Sequence, residues 1–207
     1  MYLPRGLYAI TPDDENTARL AIKVEAAIAG GAAAIQYRNK RATHESRLEQ
    51  AQELAAICAK LETLFIVNDD ALLAHEVGAD GVHIGEEDGD LEAARRIVGD
   101  SAILGVSCYS DVERAKRFVA QGADYIAFGS FFASNVKPNA RHADIGILSA
   151  AKSLGVPIVA IGGITARNAQ TLIDAGADAV AVITDVFAHD TREDIVRAAA
   201  AIASCFK

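Results

Sequence analysis

Gly78-Ala79-Asp80-Gly81-Val82 is one of four places in this chain where a glycine and an alanine lead straight into a short apolar segment. The other three are Gly31-Ala32-Ala33-Ala34-Ile35, Gly122-Ala123-Asp124-Tyr125-Ile126 and Gly176-Ala177-Asp178-Ala179-Val180. Their glycines are 47, 44 and 54 residues apart. This spacing is too long for one strand-helix unit and suits two, so the pattern predicts a repeat with further strands between these four.

Four further apolar runs alternate with the glycine motifs: Leu7-Tyr8-Ala9-Ile10, Leu64-Phe65-Ile66-Val67, Ala102-Ile103-Leu104-Gly105-Val106 and Pro157-Ile158-Val159-Ala160-Ile161. Continuous apolar runs of this kind are typical of parallel strands covered on both faces. Stretches with apolar residues at helical spacing separate the strands, as in residues 46–60, 91–98, 112–121 and 194–205. Eight alternating units predict an α/β fold, a (β/α)8 TIM barrel that forms a single domain over residues 1–207.

A doubly wound open sheet is the alternative to the barrel. It is disfavoured because no G-x-G-x-x-G follows the first strand, where Tyr8-Ala9-Ile10-Thr11-Pro12 stands instead. The composition of 51% hydrophobic and 23% charged residues, without a low-complexity run or linker, favours one compact domain.

The charge balance and the apolar runs exclude several functional classes. A net charge of −8 argues against a nucleic-acid or acidic-membrane partner, because both require a basic surface. No apolar run approaches a membrane span and no signal-peptide pattern opens the chain, so we expect a cytoplasmic protein. Cys58, Cys108 and Cys205 lack metal-ligand spacing and are interpreted as reduced structural thiols, of which only Cys108 lies near a strand end.

Cationic side chains follow the second predicted strand in Gln36-Tyr37-Arg38-Asn39-Lys40. If the strand stays extended, Gln36, Arg38 and Lys40 point to one side, since side chains alternate along a strand. Barrel enzymes assemble their sites at the carboxyl ends of the strands. The pair of cations there suits a polyanion such as a phosphate, whereas the alternative is an ordinary charged loop before the next helix.

Carboxylates follow the third and fourth strands, in Val67-Asn68-Asp69-Asp70 and Gly85-Glu86-Glu87-Asp88. Carboxylates beside cations become useful to a phosphate site when they hold Mg2+. Asp69 and Asp88 are the predicted metal ligands. The alternative role is a helix N-cap, which Asp70 and Asp90 fit better.

Four further segments add groups to the same rim. Ser107 ends the fifth strand, and the loop at residues 129–141 after the sixth strand carries Lys137 and could close over a ligand. Gly162-Gly163 and Ile183-Thr184 follow the last two strands, where barrels commonly hold a phosphate on backbone N–H groups. Two anion sites at one rim predict that two phosphorylated substrates meet there.

At these residues the chain closely resembles the thiamine-phosphate synthase family. The motifs that carry the resemblance run nearly end to end: Leu7-Tyr8-Ala9-Ile10-Thr11, Gln36-Tyr37-Arg38-Asn39-Lys40, Val67-Asn68-Asp69, Gly81-Val82-His83-Ile84-Gly85-Glu86-Glu87-Asp88, Gly105-Val106-Ser107 and Ala160-Ile161-Gly162-Gly163-Ile164. The resemblance implies a transferase of thiamine biosynthesis. It would condense 4-amino-2-methyl-5-hydroxymethylpyrimidine diphosphate with 4-methyl-5-(2-phosphoethyl)thiazole, giving thiamine phosphate and pyrophosphate, with Mg2+ as cofactor.

The resemblance also implies a role for each matching position. Gln36 and Ser107 look like pyrimidine contacts, and Asp69 and Asp88 look like metal ligands. The implied pyrophosphate clamp is Arg38, Lys40, Asn68 and Lys137, and the implied thiazole-phosphate seat is Ser134, the backbone near Val136, Gly163, Ile183 and Thr184. We expect Arg38, Lys40, Ser107 and Lys137 to be the catalytic set, with Tyr37 and Asn39 also in the substrate-binding segment.

The chain departs from the family pattern at a few positions. Ser134 and Val136 stand where threonines are common, so Val136 offers only its backbone, and Thr184 stands where serine is usual. His83 lies inside the fourth strand and is interpreted as a hydrogen-bonded residue of the barrel interior rather than a catalytic base.

Two other functions compete with synthesis. A related thiazole tautomerase has a catalytic histidine in the loop after the sixth strand, where this chain has Ser130. A non-catalytic thiazole- or thiamine-phosphate-binding barrel would not need the carboxylates together with Arg38 and Lys40. The partners expected are small-molecule substrates, and a homo-oligomer is compatible with the sequence.

Overall fold

Eight parallel strands form a closed barrel. The computed structural model describes residues 2–85, 90–133 and 142–207. The strands are β1 (Gly6–Ile10), β2 (Ala32–Tyr37), β3 (Leu64–Asn68), β4 (Gly81–Ile84), β5 (Ile103–Tyr109), β6 (Tyr125–Gly129), β7 (Ile158–Ile161) and β8 (Ala179–Val182). Consecutive strands pair in parallel, and pairing of β1 with β8 closes the ring. This closure confirms the predicted TIM barrel and excludes the open doubly wound sheet.

Helices follow the strands and surround the barrel. They are α1 (Thr17–Ala29), α2 (His44–Lys60), α3 (Ala71–Glu76), α4 (Leu91–Val98), α5 (Val112–Ala120), α6 (Gly146–Ala151), α7 (Ala169–Ala175), α8 (Thr184–Phe187) and α9 (Arg192–Ala203), with 3-10 turns at Lys152–Leu154 and Ser204–Phe206. The helices predicted over residues 46–60, 91–98, 112–121 and 194–205 are confirmed as α2, α4, α5 and α9. Over the ranges that the structure describes, no helix combines the length and apolarity needed to cross a bilayer.

The alternation of side chains along each strand divides the core into two parts. One cluster fills the barrel interior and includes Tyr8, Ile66 and Tyr125. The larger cluster, which includes Ile35 and Tyr37, lies between the barrel and the helices. Because strands are covered on both faces, their sequences read as continuous apolar runs, and the few polar inward positions are conspicuous.

The aspartates of the glycine motifs join neighbouring strands at the amino end of the barrel. Each accepts a hydrogen bond from the backbone N–H of the strand before it: Asp80 from Phe65 at 2.8 Å, Asp124 from Leu104 at 2.8 Å and Asp178 from Ile158 at 2.9 Å. The glycine of each motif turns the chain from helix to strand, as at Gly176, which follows α7 in the left-handed conformation at φ 119°. The first motif has Ala33 in place of the aspartate.

Removing one of these carboxylates should destabilise the barrel without touching its mouth. We expect Asp80→Ala to lower the free energy of unfolding by about 1–3 kcal/mol, because the N–H of Phe65 loses its acceptor. Urea denaturation measures the change. Asp100→Ala, at an exposed position, is the matched control and should change stability by less than about 0.5 kcal/mol. Equal stability of the two variants would contradict this role for the motif.

Candidate active site

The carboxyl ends of the strands bring most of the predicted site residues to one mouth of the barrel. The described residues of this set are Gln36, Arg38, Lys40, Asn68, Asp69, Ser107, Gly163, Ile183 and Thr184. Four predicted positions, Asp88, Ser134, Val136 and Lys137, lie outside the described residues.

The cation loop, residues 38–40, is held by the segment that follows β1. The backbone N–H of Arg38 donates to Thr11 Oγ1 at 2.8 Å, and the Thr11 hydroxyl donates back to the Arg38 carbonyl at 3.0 Å. Asp13 Oδ1 lies 3.1 Å from Arg38 Nη1 and accepts from the backbone N–H of Lys40 at 2.8 Å. Because β2 ends at Tyr37, these contacts, and not strand alternation, position the two cations.

Lys40 pairs with Asp69 across the mouth. Lys40 Nζ lies 3.3 Å from Asp69 Oδ2, and the side chains are 57% and 21% exposed. Asp69 has a left-handed backbone at φ 66°, and its N–H donates to the His83 carbonyl at 2.8 Å. The turn at the end of β3 thus brings a carboxylate beside the cation loop, as predicted from the order of the motifs.

The neighbouring aspartates have the capping role that was predicted for them. Asp70 Oδ1 accepts from the Leu73 N–H at 2.9 Å and begins α3, whereas Asp90 Oδ1 accepts from the Glu92 N–H at 3.0 Å and begins α4. Within the described residues, no group of three or more His, Cys, Asp or Glu side chains forms a metal site. Of the two predicted metal ligands, Asp69 lies at the mouth beside Lys40, and Asp88 lies outside the described residues.

Tyr37 and Asn39 turn away from the mouth. The Tyr37 hydroxyl donates to Gln50 Oε1 at 2.9 Å, and Asn39 Nδ2 donates to the same oxygen at 3.0 Å and to the Asp14 carbonyl at 2.8 Å. Burial between the barrel and α2 raises the pKa of Tyr37. These contacts position the cation loop from behind, so the structure does not bring either side chain into the predicted substrate site.

A row of polar side chains crosses the barrel interior beneath the mouth. Gln36 Nε2 donates to the Tyr8 hydroxyl at 2.8 Å, and the hydroxyls of Tyr8 and Tyr125 are 2.9 Å apart. His83 Nδ1 is 2.9 Å from the Tyr125 hydroxyl, and His83 Nε2 is 2.9 Å from Ser107 Oγ. The interpretation of His83 as a hydrogen-bonded interior residue is confirmed. The two predicted pyrimidine contacts, Gln36 and Ser107, are the ends of one row.

Backbone groups form the opposite side of the mouth. Gly163 has φ 62°, and a Cβ there would lie 2.4 Å from the Ala133 carbonyl, so only glycine fits this close approach. Asn168 Nδ2 donates to the Gly163 carbonyl at 3.0 Å. The short helix α8 starts at Thr184 directly after β8. Loops after β7 and β8 with a short extra helix are the geometry in which barrels bind a phosphate on N–H groups.

Cys108 follows Ser107 but points out of the barrel. It is fully buried, and burial raises the pKa of its thiol to about 12. Cys58 is also buried, with a pKa raised to about 12, whereas Cys205 is partly exposed. The interpretation of reduced structural thiols fits these surroundings.

The cysteines should differ in reactivity. Because the thiolate is the nucleophile, native protein at pH 8 is expected to take up iodoacetamide at Cys205 and to leave Cys58 and Cys108 unmodified until urea unfolds the chain. Mass spectrometry of tryptic peptides measures the order. Rapid alkylation of Cys108 in the native protein would contradict its burial between the barrel and the helices.

Comparison with known proteins identifies the family. A family model described as thiamine monophosphate synthase matches residues 7–186, from β1 into α8. The chain belongs to the thiamine monophosphate synthase family. A thiamine-phosphate synthase of Methylobacillus flagellatus is 52% identical over 179 residues, covering 86% of each chain. One of Chromobacterium violaceum is 50% identical over 201 residues, covering 97% of this chain and 96% of the relative.

A solved structure of a thiamine phosphate pyrophosphorylase from Pyrococcus furiosus is also similar. It has 35% identity and a TM-score of 0.86, with 97% of this chain and 95% of that chain covered. A second, from Bacteroides thetaiotaomicron, has a TM-score of 0.72 at 13% identity and shows the fold alone. These findings confirm the family, the barrel and the transferase class expected from the motifs.

In this member of the thiamine monophosphate synthase family, Asp13 and Thr11 are mouth residues that the sequence reading missed. A signal for them existed, since Thr11-Pro12-Asp13-Asp14 follows β1 just as Asp69-Asp70 follows β3. The sequence also did not predict that Tyr8 and Tyr125 place polar hydroxyls in the barrel interior. A tyrosine in an apolar run is interpreted as an ordinary core residue until the partner of its hydroxyl is known.

Proposed function

We propose that this protein condenses 4-amino-2-methyl-5-hydroxymethylpyrimidine diphosphate with 4-methyl-5-(2-phosphoethyl)thiazole to give thiamine phosphate and pyrophosphate. The observation that carries the proposal is the Lys40–Asp69 pair beside Arg38 at the mouth of the barrel. Two cations with a carboxylate suit a diphosphate and a divalent cation together. The thiamine-phosphate synthases that are about half identical to this chain support the same reaction.

Arg38 and Lys40 bind the diphosphate in this proposal. Asp13 holds the Arg38 guanidinium at 3.1 Å and leaves its other N–H groups for phosphate oxygens. Lys40 is a mobile cation, 57% exposed, that exchanges its contact with Asp69 for one with the diphosphate. Asn68 lies next to Asp69 at the end of β3 and supplies a neutral amide to the same site.

Asp69 is also the proposed Mg2+ ligand. The fit is chemical: Mg2+ prefers oxygen ligands and is commonly bound by one or two carboxylates together with substrate phosphates. Asp69 provides a partly exposed carboxylate beside the proposed diphosphate position, with Asp88 as the second proposed ligand. When bound, Mg2+ would supply Lewis-acid stabilisation of the negative charge on the diphosphate.

The reaction breaks the C–O bond between the pyrimidine methylene and the diphosphate, and the electron pair leaves with pyrophosphate. The thiazole nitrogen then gives its lone pair to the methylene carbon and forms the C–N bond. Arg38, Lys40 and Lys137 stabilise the charge that grows on the departing oxygen, where stabilisation lowers the barrier most. Gln36 and Ser107 hold the pyrimidine, while Ser134, Val136, Gly163, Ile183 and Thr184 hold the thiazole phosphate.

The direct test mixes purified protein with both substrates and Mg2+ and measures thiamine phosphate and pyrophosphate by chromatography. We expect product in equal amounts, abolished by EDTA and restored by excess Mg2+. Thiazole isomerisation without condensation would favour the tautomerase, although Ser130 stands at the position of its histidine and donates to the Phe132 carbonyl at 2.9 Å. Ligand binding without turnover would favour the non-catalytic barrel.

Two expectations accompany this proposal. A cytoplasmic location would place the enzyme with its soluble substrates, and cell fractionation tests it. A homo-oligomer is tested by light scattering of the purified protein.

A further inference from the structure

Three buried side chains link the two proposed pyrimidine contacts, and we propose that all five form a hydrogen-bond relay of fixed direction. The relay is Gln36, Tyr8, Tyr125, His83 and Ser107. Its direction would decide which group Gln36 and Ser107 each present to the pyrimidine, and so would make the site specific for an amino-substituted ring. This inference rests on the proposed function for the identity of the ligand, but the relay itself is a property of the protein.

Burial makes each bond of the relay obligatory. Tyr125 is fully buried, and Tyr8, Gln36 and His83 are 1%, 3% and 8% exposed. Polar groups at such positions must find partners inside the protein, since an unsatisfied group is costly. Burial also raises the pKa of both tyrosines, so each hydroxyl keeps its proton. Each tyrosine therefore has one proton to donate along the relay.

The amide of Gln36 sets the direction. Its Nε2 donates to the Tyr8 oxygen, so the Tyr8 proton goes to Tyr125. The Tyr125 proton then goes to His83 Nδ1, which must be the unprotonated nitrogen of the ring. With Nδ1 as the acceptor, His83 carries its ring proton on Nε2, and the Nε2–H donates to Ser107 Oγ.

The opposite direction is also self-consistent, and this couples the two ends. If the Gln36 amide were turned over, every proton would reverse, and His83 would carry its proton on Nδ1. In the direction that follows from the Gln36 Nε2 donor, Gln36 keeps Oε1 as an acceptor and Ser107 keeps its hydroxyl proton as a donor. One end of the relay cannot change its role unless the other end changes too.

The neighbouring strand reserves space for the relay. A Cβ on Gly105 would lie 1.8 Å from Tyr125 Cζ and 2.3 Å from its hydroxyl. Gly105 is paired in register with both His83 and Tyr125. Glycine at this position thus admits the tyrosine ring between β4 and β6, and a larger residue would displace the central hydroxyl.

The direction has a consequence for specificity. An acceptor at Gln36 and a donor at Ser107 fit a ring that carries an amino group and an acceptor ring nitrogen, as the 4-aminopyrimidine does. A 4-oxo analogue would bring its oxygen against the Gln36 oxygen, and two acceptors repel each other. Sites built around such hydrogen bonds discriminate far more strongly than apolar pockets.

The first test observes the relay without any substrate. Long-range 1H–15N correlation spectra of the labelled protein report the tautomer of each histidine, and His83→Asn assigns the His83 signals. We expect the Nε2-protonated neutral tautomer. The Nδ1-protonated tautomer, or a ring protonated on both nitrogens at neutral pH, would overturn the fixed direction.

The second test measures selectivity. We expect the wild type to favour the 4-amino over the 4-oxo pyrimidine diphosphate by about 100-fold or more in kcat/KM. Tyr8→Phe removes the hydroxyl that orients Gln36 and should reduce this ratio at least about 10-fold. Asp80→Ala is the stability control, because it destabilises the opposite end of the barrel. It should keep the wild-type preference for the 4-amino substrate. An unchanged ratio in folded Tyr8→Phe would show that the relay is only structural.

The two tests separate the relay from the proposed function. If the wild type forms no thiamine phosphate, the proposed function is wrong. The tautomer of His83 then still tests the direction of the relay. If condensation occurs but His83 has the opposite tautomer, the function stands and the relay direction is wrong.

Discussion

Replacing Asp69 with asparagine is expected to lower Mg2+-dependent turnover by about 100-fold or more, comparable to the loss of one charge-stabilising group in other active sites. The carboxylate lies 3.3 Å from Lys40 at the mouth, where the proposal places Mg2+ and the diphosphate. Asparagine keeps the shape and tolerates the left-handed backbone at φ 66°. Alanine would add about 1–2 kcal/mol of backbone strain, so Asp69→Ala would combine a loss of stability with the loss of the carboxylate. Initial rates over a range of Mg2+ concentrations measure the effect.

The adjacent aspartate is the matched control for that experiment. Asp70→Ala removes the cap of α3 and should cost about 1 kcal/mol of stability while leaving the Mg2+ dependence unchanged. If Asp69→Asn had normal turnover and an ordinary Mg2+ response, Asp69 would have no part in the mechanism. If both variants lost turnover equally, the effect would come from the local fold of the loop after β3.

Arg38→Ala is expected to lower kcat/KM for the pyrimidine diphosphate by about 100-fold. The Arg38 side chain is 23% exposed and its guanidinium is held by Asp13, so its fork is preorganised for phosphate oxygens. Arg38→Lys should recover only part of the loss, because an ammonium cannot make paired contacts with a diphosphate. Steady-state kinetics at fixed thiazole phosphate measure the change.

Arg41 offers a control in the same segment. Its side chain is 82% exposed, and its Nε lies 3.9 Å from Asp13, the carboxylate that holds Arg38. Arg41→Ala removes the same formal charge and should alter kcat/KM less than about 3-fold. Equal losses in Arg38→Ala and Arg41→Ala would show that the mouth needs net positive charge rather than a positioned guanidinium.

The barrel was predictable because its signals are local. Each glycine motif marks a helix end and a strand start within five residues, and the carboxylate of Asp80, Asp124 or Asp178 acts on the strand directly before it. The order of the motifs was enough to place Lys40 near Asp69, since parallel strands end at one rim. Caps such as Asp70 were also evident, because a cap bonds a residue three positions on.

The parts that could not be predicted depend on contacts between distant residues. The Tyr8 and Tyr125 hydroxyls meet across 117 positions of sequence, and nothing local distinguishes either tyrosine from an ordinary core residue. The cation loop lies at the mouth as predicted, but strand alternation is not the reason, because β2 ends before Arg38. Asp13, 25 positions earlier in the sequence, holds the Arg38 side chain. Tyr37 was expected at the substrate because it lies in the motif, yet its partner Gln50 lies on α2.

The pairing of β1 with β8 also matters while the chain is being made. The N–H of Gly6 donates to the carbonyl of Asp178 at 3.1 Å, so the first strand gains its second neighbour only when the last strand exists. A growing chain therefore carries β1 as a bare edge through most of its synthesis, and proteins normally protect such edges from pairing with other chains. Any chain that stops before Ala179 keeps two open edges, β1 and β7, and becomes a template for aggregation rather than a smaller barrel.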